Sequence, residues 1–173
     1  MEEYPWYIVV AGEETLLQGD FINSCPVVIP PVAVELGKVP ADVIEYDVVV
    51  MSQSCDLEQR KIDLVLVCPL WSLEEFEDKN SYYRSRERKE ALRRGYLPGY
   101  HLLNKCEIDG FKTDYLVVDF RSVYSVPFDS TLDLVRKRGR RLRLLPPYRE
   151  HLSQAFARFF MRVGLPVDIP PFK

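Results

Sequence analysis

Cys25, Cys55, Asp56, His101 and Asp119 are the side chains of this sequence whose types could form a chemical centre. The string Met51-Ser52-Gln53-Ser54-Cys55-Asp56-Leu57 stands out because a β-branched run ending at Val50 turns at once into polar residues. A thiol beside a carboxylate at a strand end can ligate a metal, or attack as a nucleophile once a base or metal lowers its pKa from about 8.5. In the metal version Cys25, Cys55 and His101 hold zinc, with Cys106 able to replace one ligand. Their spacing is not the C-x2-C or H-x3-H pattern of a strong zinc motif. In the nucleophile version Cys55 attacks, His101 is the base and Asp56 or Asp119 orients it, which would make a hydrolase. A plainer reading makes Ser52, Ser54 and Asp56 a capped turn and Cys55 a small apolar filler. Cys68, in an apolar run before Pro69, reads as core, and His151 as the outer side of a helix.

A second set of residues is cationic. Arg136-Lys137-Arg138-Gly139-Arg140-Arg141-Leu142-Arg143 is followed by Arg158 and Arg162 at i and i+4. Gathered on one face, these cations would bind phosphates, because each neutralised phosphate releases counterions and adds sequence-independent affinity. Tyr82, Tyr83, Tyr96 and Tyr100 could stack on unpaired bases of RNA or another single strand. The competing reading pairs the arginines with acids earlier in the chain. Residues 1–81 carry 4 basic and 16 acidic side chains, a net of −12, whereas residues 121–173 carry 11 and 4, a net of +7. A third possibility is a plain interaction module whose exposed aromatics mark a protein interface.

The elements that would position these groups can be read from periodicity. Tyr7–Val10 is a short strand, and Cys25-Pro26-Val27-Val28-Ile29 is extended, suited to an edge strand because prolines block helix there. Residues 32–45 show no clean period and read as loop that could hold a short strand. Tyr46–Ser52 and Ile62–Leu70 are buried strands. The charged stretch 71–94 is a helical insertion broken near Asn80-Ser81, and His101 follows a turn-rich loop into a short strand. Asp109-Gly110 signals a hairpin before the strands Tyr115–Phe120 and Val123–Val126. Asp129-Ser130-Thr131 can cap a helix from Leu132 that Gly139 ends. In the last helix, about 147–163, Leu152, Ala155, Phe156, Phe159 and Val163 form one apolar stripe, with Gly164 and Pro166 as its stop.

A chain of 173 residues with 47% hydrophobic and 28% charged content is expected to form a single domain, 1–173, of α+β class. The sheet should be strongly bent and antiparallel, or a small β-barrel, with the helical insertion on one side and the C-terminal amphipathic helix closing the core. No segment approaches the roughly 20 apolar residues of a membrane span. The acidic start Met1-Glu2-Glu3-Tyr4-Pro5 is unlike a secretory signal, so a cytoplasmic location and free thiols are expected.

Gln18-Gly19-Asp20-Phe21, Asp47-Val48-Val49-Val50-Met51-Ser52 and Leu64-Val65-Leu66-Val67-Cys68-Pro69-Leu70, in that order, resemble the strand sequence of MazF/PemK-like toxins. The resemblance covers about residues 15–70 and implies an SH3-like barrel that binds or cleaves single-stranded RNA, often in bacterial stress or defence loci. Tyr46-Asp47 stands where that family usually has Arg-Pro, so none of the family's catalytic residues carries over to a position here.

Overall fold

The computed structural model describes residues 4–32, 37 and 40–161. Its elements in chain order are β1 (Tyr7–Val10), β2 (Phe21–Ile29), β3 (Asp42–Val50), α1 (Ser54–Glu58), β4 (Leu64–Ser72) and α2 (Leu73–Lys79). A 3-10 turn over Ser81–Arg84 leads to α3 (Arg86–Arg93), β5 (Tyr100–Leu103), β6 (Leu116–Asp119), β7 (Tyr124–Pro127), α4 (Phe128–Arg138), β8 (Arg141–Leu144) and α5 (Tyr148–Phe160). The class is α+β, and every strand pair among the described residues is antiparallel.

The main sheet runs β2-β3-β4-β6-β5, with β7 also on β4, while β1 and β8 form a separate two-stranded ribbon. β4 organises the sheet. Its first half pairs with β7 and its last three residues pair with β6, so β6 and β7 act as one long strand interrupted at residues 120–123. The path has open ends at β2 and β5, so the described strands do not close into the barrel that the resemblance implies.

The near-continuous apolar runs of β3 and β4 reflect burial on both faces. Val48 and Val50 point into one cluster with Val65, Val67 and Leu57, and the adjacent Val49 and Met51 point into another with Cys68, Leu70 and Phe120. α4 covers the first face through Phe128, Leu132 and Val135, and α5 covers the second through Leu152, Ala155, Phe156 and Phe159. At about 25 cal/mol per Å² of apolar surface, burial on both faces stabilises these strands more than burial on one face would.

Several boundaries differ from those read from sequence. β3 begins at Asp42, because Asp42–Tyr46 pairs with Cys25–Ile29 and draws the irregular stretch before it into a long hairpin arm. β2 does lie at a sheet edge, which accommodates Pro26 in mid-strand, and its register shifts between Ile22 and Cys25, where Ser24 has φ 47°. The insertion breaks at Asn80 as expected, with a Ser72–Glu75 capping box opening α2 and Ser85 capping α3. α4 starts at Phe128, so Asp129-Ser130-Thr131 forms its first turn rather than its cap, and Thr131 Oγ1 donates to the Pro127 carbonyl at 2.9 Å. Val163, Gly164 and Pro166, the expected end of the last helix, lie outside the described residues.

One close approach fixes the β1–β2 turn against α4. A Cβ built on the buried Gly12 would lie 3.0 Å from the Gly139 Cα and from the carbonyl oxygens of Gly139 and Val135, all backbone atoms that cannot rotate aside. Gly139 itself has φ 84°, a conformation that favours glycine. Gly12→Ala is therefore expected to destabilise the protein by about 1–3 kcal/mol, as overpacking does. A urea midpoint equal to that of the parent protein would contradict the close packing.

Candidate functional site

The polar string after β3 is a structural junction. Ser52 is buried and its Oγ accepts from Leu66 N at 2.8 Å, while Ser54 Oγ accepts from Gln18 N at 3.2 Å. Gln18 is buried too, and its Nε2 donates to the Met51 carbonyl at 2.8 Å. Buried polar groups need partners, and here they supply one another. The string then coils into α1, which buries Leu57 and leaves Cys55 exposed with its Sγ 3.8 Å from Asp56 Oδ1. The capped-turn reading is corrected, since α1 has no side-chain cap and both serines tie down distant segments instead, and the exposed Cys55 is not an apolar filler.

The proposed metal ligands are not brought together. Cys25 is fully buried among Ile22, Val48 and Val50, where burial pushes its thiol up to about 11. Cys68 is likewise core, pushed up to about 12 by burial and by the Asp119 charge, and Cys106 is buried as well. A thiol with a raised pKa is a poor nucleophile at neutral pH. Among the described residues no group of three or more His, Cys, Asp or Glu is placed to hold a metal ion.

His101 lies on β5, stacked on Phe120 with ring centroids 6.3 Å apart, and lines a cleft that contains no cysteine and no carboxylate. Its imidazole is pushed down to about 4, chiefly by burial and then by the charges of His151 and Arg158. Asp119 is engaged by Arg121, through the backbone N–H at 2.9 Å and the guanidinium at 3.2 Å. No hydrogen bond among the described residues joins Cys55 to His101 or His101 to Asp119. The nucleophile, base and orienting group expected from sequence are therefore not assembled.

The basic segment divides into two parts with different fates. Arg141 and Arg143 face Asp20, whose side chain is fully buried; Arg141 Nε donates to Asp20 Oδ2 at 2.8 Å and Arg143 Nη2 to the same oxygen at 2.9 Å. Arg141 also donates to the carbonyls of Ala11, Glu14 and Thr15. These two arginines clamp the β1–β2 loop onto β8, so the expectation that they bind phosphate is corrected to a structural role. Strand alternation explains the geometry, since Leu142 and Leu144 enter the core from one face and place both arginines on the other.

Arg136, Lys137, Arg138 and Arg140 stay exposed at the end of α4. Three cations in the last turn complement the helix dipole, and Gly139 then turns the chain so that Arg140 follows on the same rim. Lys137 pairs with Asp133, but Arg136 and Arg138 have no ion-pair partner among the described residues, and Arg140 lies 5.6 Å from the centre of the Phe111 ring. Arg138, Arg140 and Phe111 border a cleft of about 630 Å³ that also reaches the 109–114 hairpin. The acids lining this cleft are already engaged: Asp47 by Ser24 N, Asp114 by Lys105 and Glu75 by the Ser72 cap. Phe111 carries no sequence signal of its own, and only the Asp109-Gly110 turn beside it hints at the hairpin that presents it.

Of the tyrosines, Tyr100 is buried and Tyr83 packs between it and Phe76, so neither is open to a base. Tyr82 and Tyr96 are exposed, the former beneath the Arg88 guanidinium at 4.2 Å. Arg158 is exposed on α5 and lines the His101 cleft, whereas Arg162 lies outside the described residues. No helix among the described residues is long and apolar enough to cross a membrane.

No protein-family model matches the chain, and no curated protein matches it significantly.

Proposed function

We propose that this chain binds single-stranded nucleic acid, RNA above all, along the rim formed by Arg136, Arg138 and Arg140, with Phe111 offering a ring for one base. The observation that carries the reading is that Arg138 and Arg140 border a large cleft, with Arg136 exposed beside them on α4, and that none of the three has a carboxylate partner among the described residues. Solvated arginines near one another favour a phosphate backbone, since they bind its oxygens in pairs. The resemblance of residues 15–70 to RNA-acting toxins of bacteria, and with it action in the cytoplasm and a barrel-derived sheet, belongs to the same reading. A binding role is preferred over hydrolysis because, among the described residues, Cys55 and His101 share no hydrogen bond and no common cleft.

A protein partner is the second reading, favoured by the cross-strand pair Val28 and Val43, exposed at 63% and 64% on the β2–β3 arm. Fluorescence anisotropy with a labelled RNA strand of about 12 nucleotides, in the range one small binding fold occupies, separates the two. The triple variant Arg136→Gln, Arg138→Gln, Arg140→Gln should lose at least roughly tenfold in affinity. Its salt slope should fall by about 2, because each single-strand phosphate contact contributes about 0.7. Binding that survives the triple variant, or no binding by the parent protein at low salt, would reject the RNA reading and turn attention to the valine arm.

A further inference from the structure

We infer that the cleft between α3, β5 and α5 is a second anion site, which takes a phosphate group presented on its own, as inorganic phosphate or as a terminal phosphate monoester. Its volume is about 270 Å³, below the roughly 300–1,000 Å³ typical of sites for drug-sized ligands. Three elements line it with basic residues: Arg93 and Arg94 at the end of α3, His101 of β5, whose imidazole is neutral near pH 7, and His151 and Arg158 of α5. Gln154 adds an amide, and Ala155, being small, leaves the space between the helix and the strand open. No aspartate or glutamate lines the cleft.

The charge balance is what points to an anion. The carboxylates near its rim are already paired: Glu90 is shared between Arg93 and Arg94, at 2.6 and 2.7 Å, and Glu150, beside His151, is held by Arg149 at 2.8 Å. Arg158 has no ion-pair partner among the described residues, and with His151 it bears on His101, whose imidazole is held low by burial and by these two neighbours. Mutually repelling groups on three elements gain from a bound dianion, which an arginine fork can grip through two oxygens while the imidazoles donate to others. His151, Gln154 and Arg158 follow one another at i, i+3 and i+7 on α5, so a single helix face supplies three of the contacts.

The site is independent of the Arg136–Arg140 rim, and its test is too. Inorganic phosphate would be titrated calorimetrically against the intact protein at constant ionic strength set with chloride, with the imidazole resonances of His101 and His151 followed in parallel by NMR. Saturable binding is expected, with both imidazoles shifting. Arg158→Gln and His151→Gln, both on the exposed side of α5, should each weaken it at least tenfold, and Lys61→Gln, an exposed cation that does not line the cleft, should leave it unchanged. Two otherwise identical oligonucleotides, one with a 5′-phosphate and one with a 5′-hydroxyl, then identify the source. A preference for the phosphorylated strand that Arg158→Gln abolishes assigns the site to a nucleic-acid end, and equal affinities assign it to a small phosphorylated molecule. No saturation by phosphate, or binding unchanged in both α5 variants, would overturn the inference.

Discussion

Replacing Asp20 with alanine is expected to cost the protein about 3–5 kcal/mol, the range for removing one partner of a buried charge pair. Asp20 is fully buried, and the side chains left behind, Arg141 at 5% exposure and Arg143 at 11%, cannot regain water without moving β8. The carbonyls of Ala11, Glu14 and Thr15 would still accept from Arg141, but they carry no net charge to offset a guanidinium. Small domains are stable by about 5–15 kcal/mol, so the variant should sit near the edge of folding at 37 °C. Equilibrium urea denaturation measures the loss directly. The triple variant Asp20→Leu, Arg141→Met, Arg143→Met should recover part of it, because replacing the carboxylate and both guanidiniums by apolar groups leaves no unpaired buried charge. A loss below about 1 kcal/mol for Asp20→Ala would mean that the clamp is solvated and contributes little.

The second large effect is on acid stability and comes from His101. Its imidazole titrates near 4 in the folded chain against 6.5 in the unfolded one. Between those values the unfolded state binds more protons, so stability rises with pH across that window. The contribution of the neutral imidazole is complete above about pH 6.5 and is lost as pH falls toward 4. Each tenfold difference in proton affinity between the two states is worth about 1.4 kcal/mol, which sets a ceiling of about 3 kcal/mol. The groups that lower the imidazole are Phe120 just beyond β6, which buries it, and His151 and Arg158 on α5, with Arg93 and Arg94 of α3 lining the same cleft. Urea unfolding of the parent protein and of His101→Gln at pH 7.5 and 4.5 isolates this from the general loss of carboxylate pairing. The variant should lose about 2–3 kcal/mol less than the parent protein between the two pH values. Parallel losses in both would show that His101 protonates as readily folded as unfolded.

What could be read from sequence was whatever local patterns impose. The double-sided runs of β3 and β4, the break at Asn80, the glycine that ends α4 and the apolar stripe of α5 all follow from periodicity and turn chemistry, and each is present. The start of β3 was missed because Asp42–Glu45 is exposed and has no internal pattern; its strand character comes from the partner Pro26–Ile29. The site residues were harder, since their fate depends on what stands across from them. Arg140 and Arg141 are chemically identical neighbours, yet one is exposed on Phe111 and the other is sealed against Asp20, a residue more than a hundred positions away. Cys25, Cys55 and His101 looked convergent as strand-end residues, but one entered a valine core, one a short surface helix and one a cationic cleft. His151 was read only as the outer side of a helix and Arg158 was grouped with Arg162, because the strand that faces His151, Gln154 and Arg158 across the cleft leaves no mark in the local pattern.

Among the described residues β1 pairs with β8 alone, with Val10 opposite Arg141 and Tyr7 opposite Leu144. During synthesis the first strand of the chain is therefore made long before anything can pair with it. β2, β3 and β4 can form their hairpins as they emerge, but the ribbon and the Asp20 clamp beside it must wait until β8 has been translated. Until then Ile8 and Val10 present an open edge to any other nascent chain, and the sheet-covering helix α5 arrives later still. A closure of this sequence separation makes folding slow compared with a helical protein of similar size. A ribosome-bound chain stopped before β8 should be protease-sensitive at its N-terminal strand, and the same chain extended past α5 should be protected.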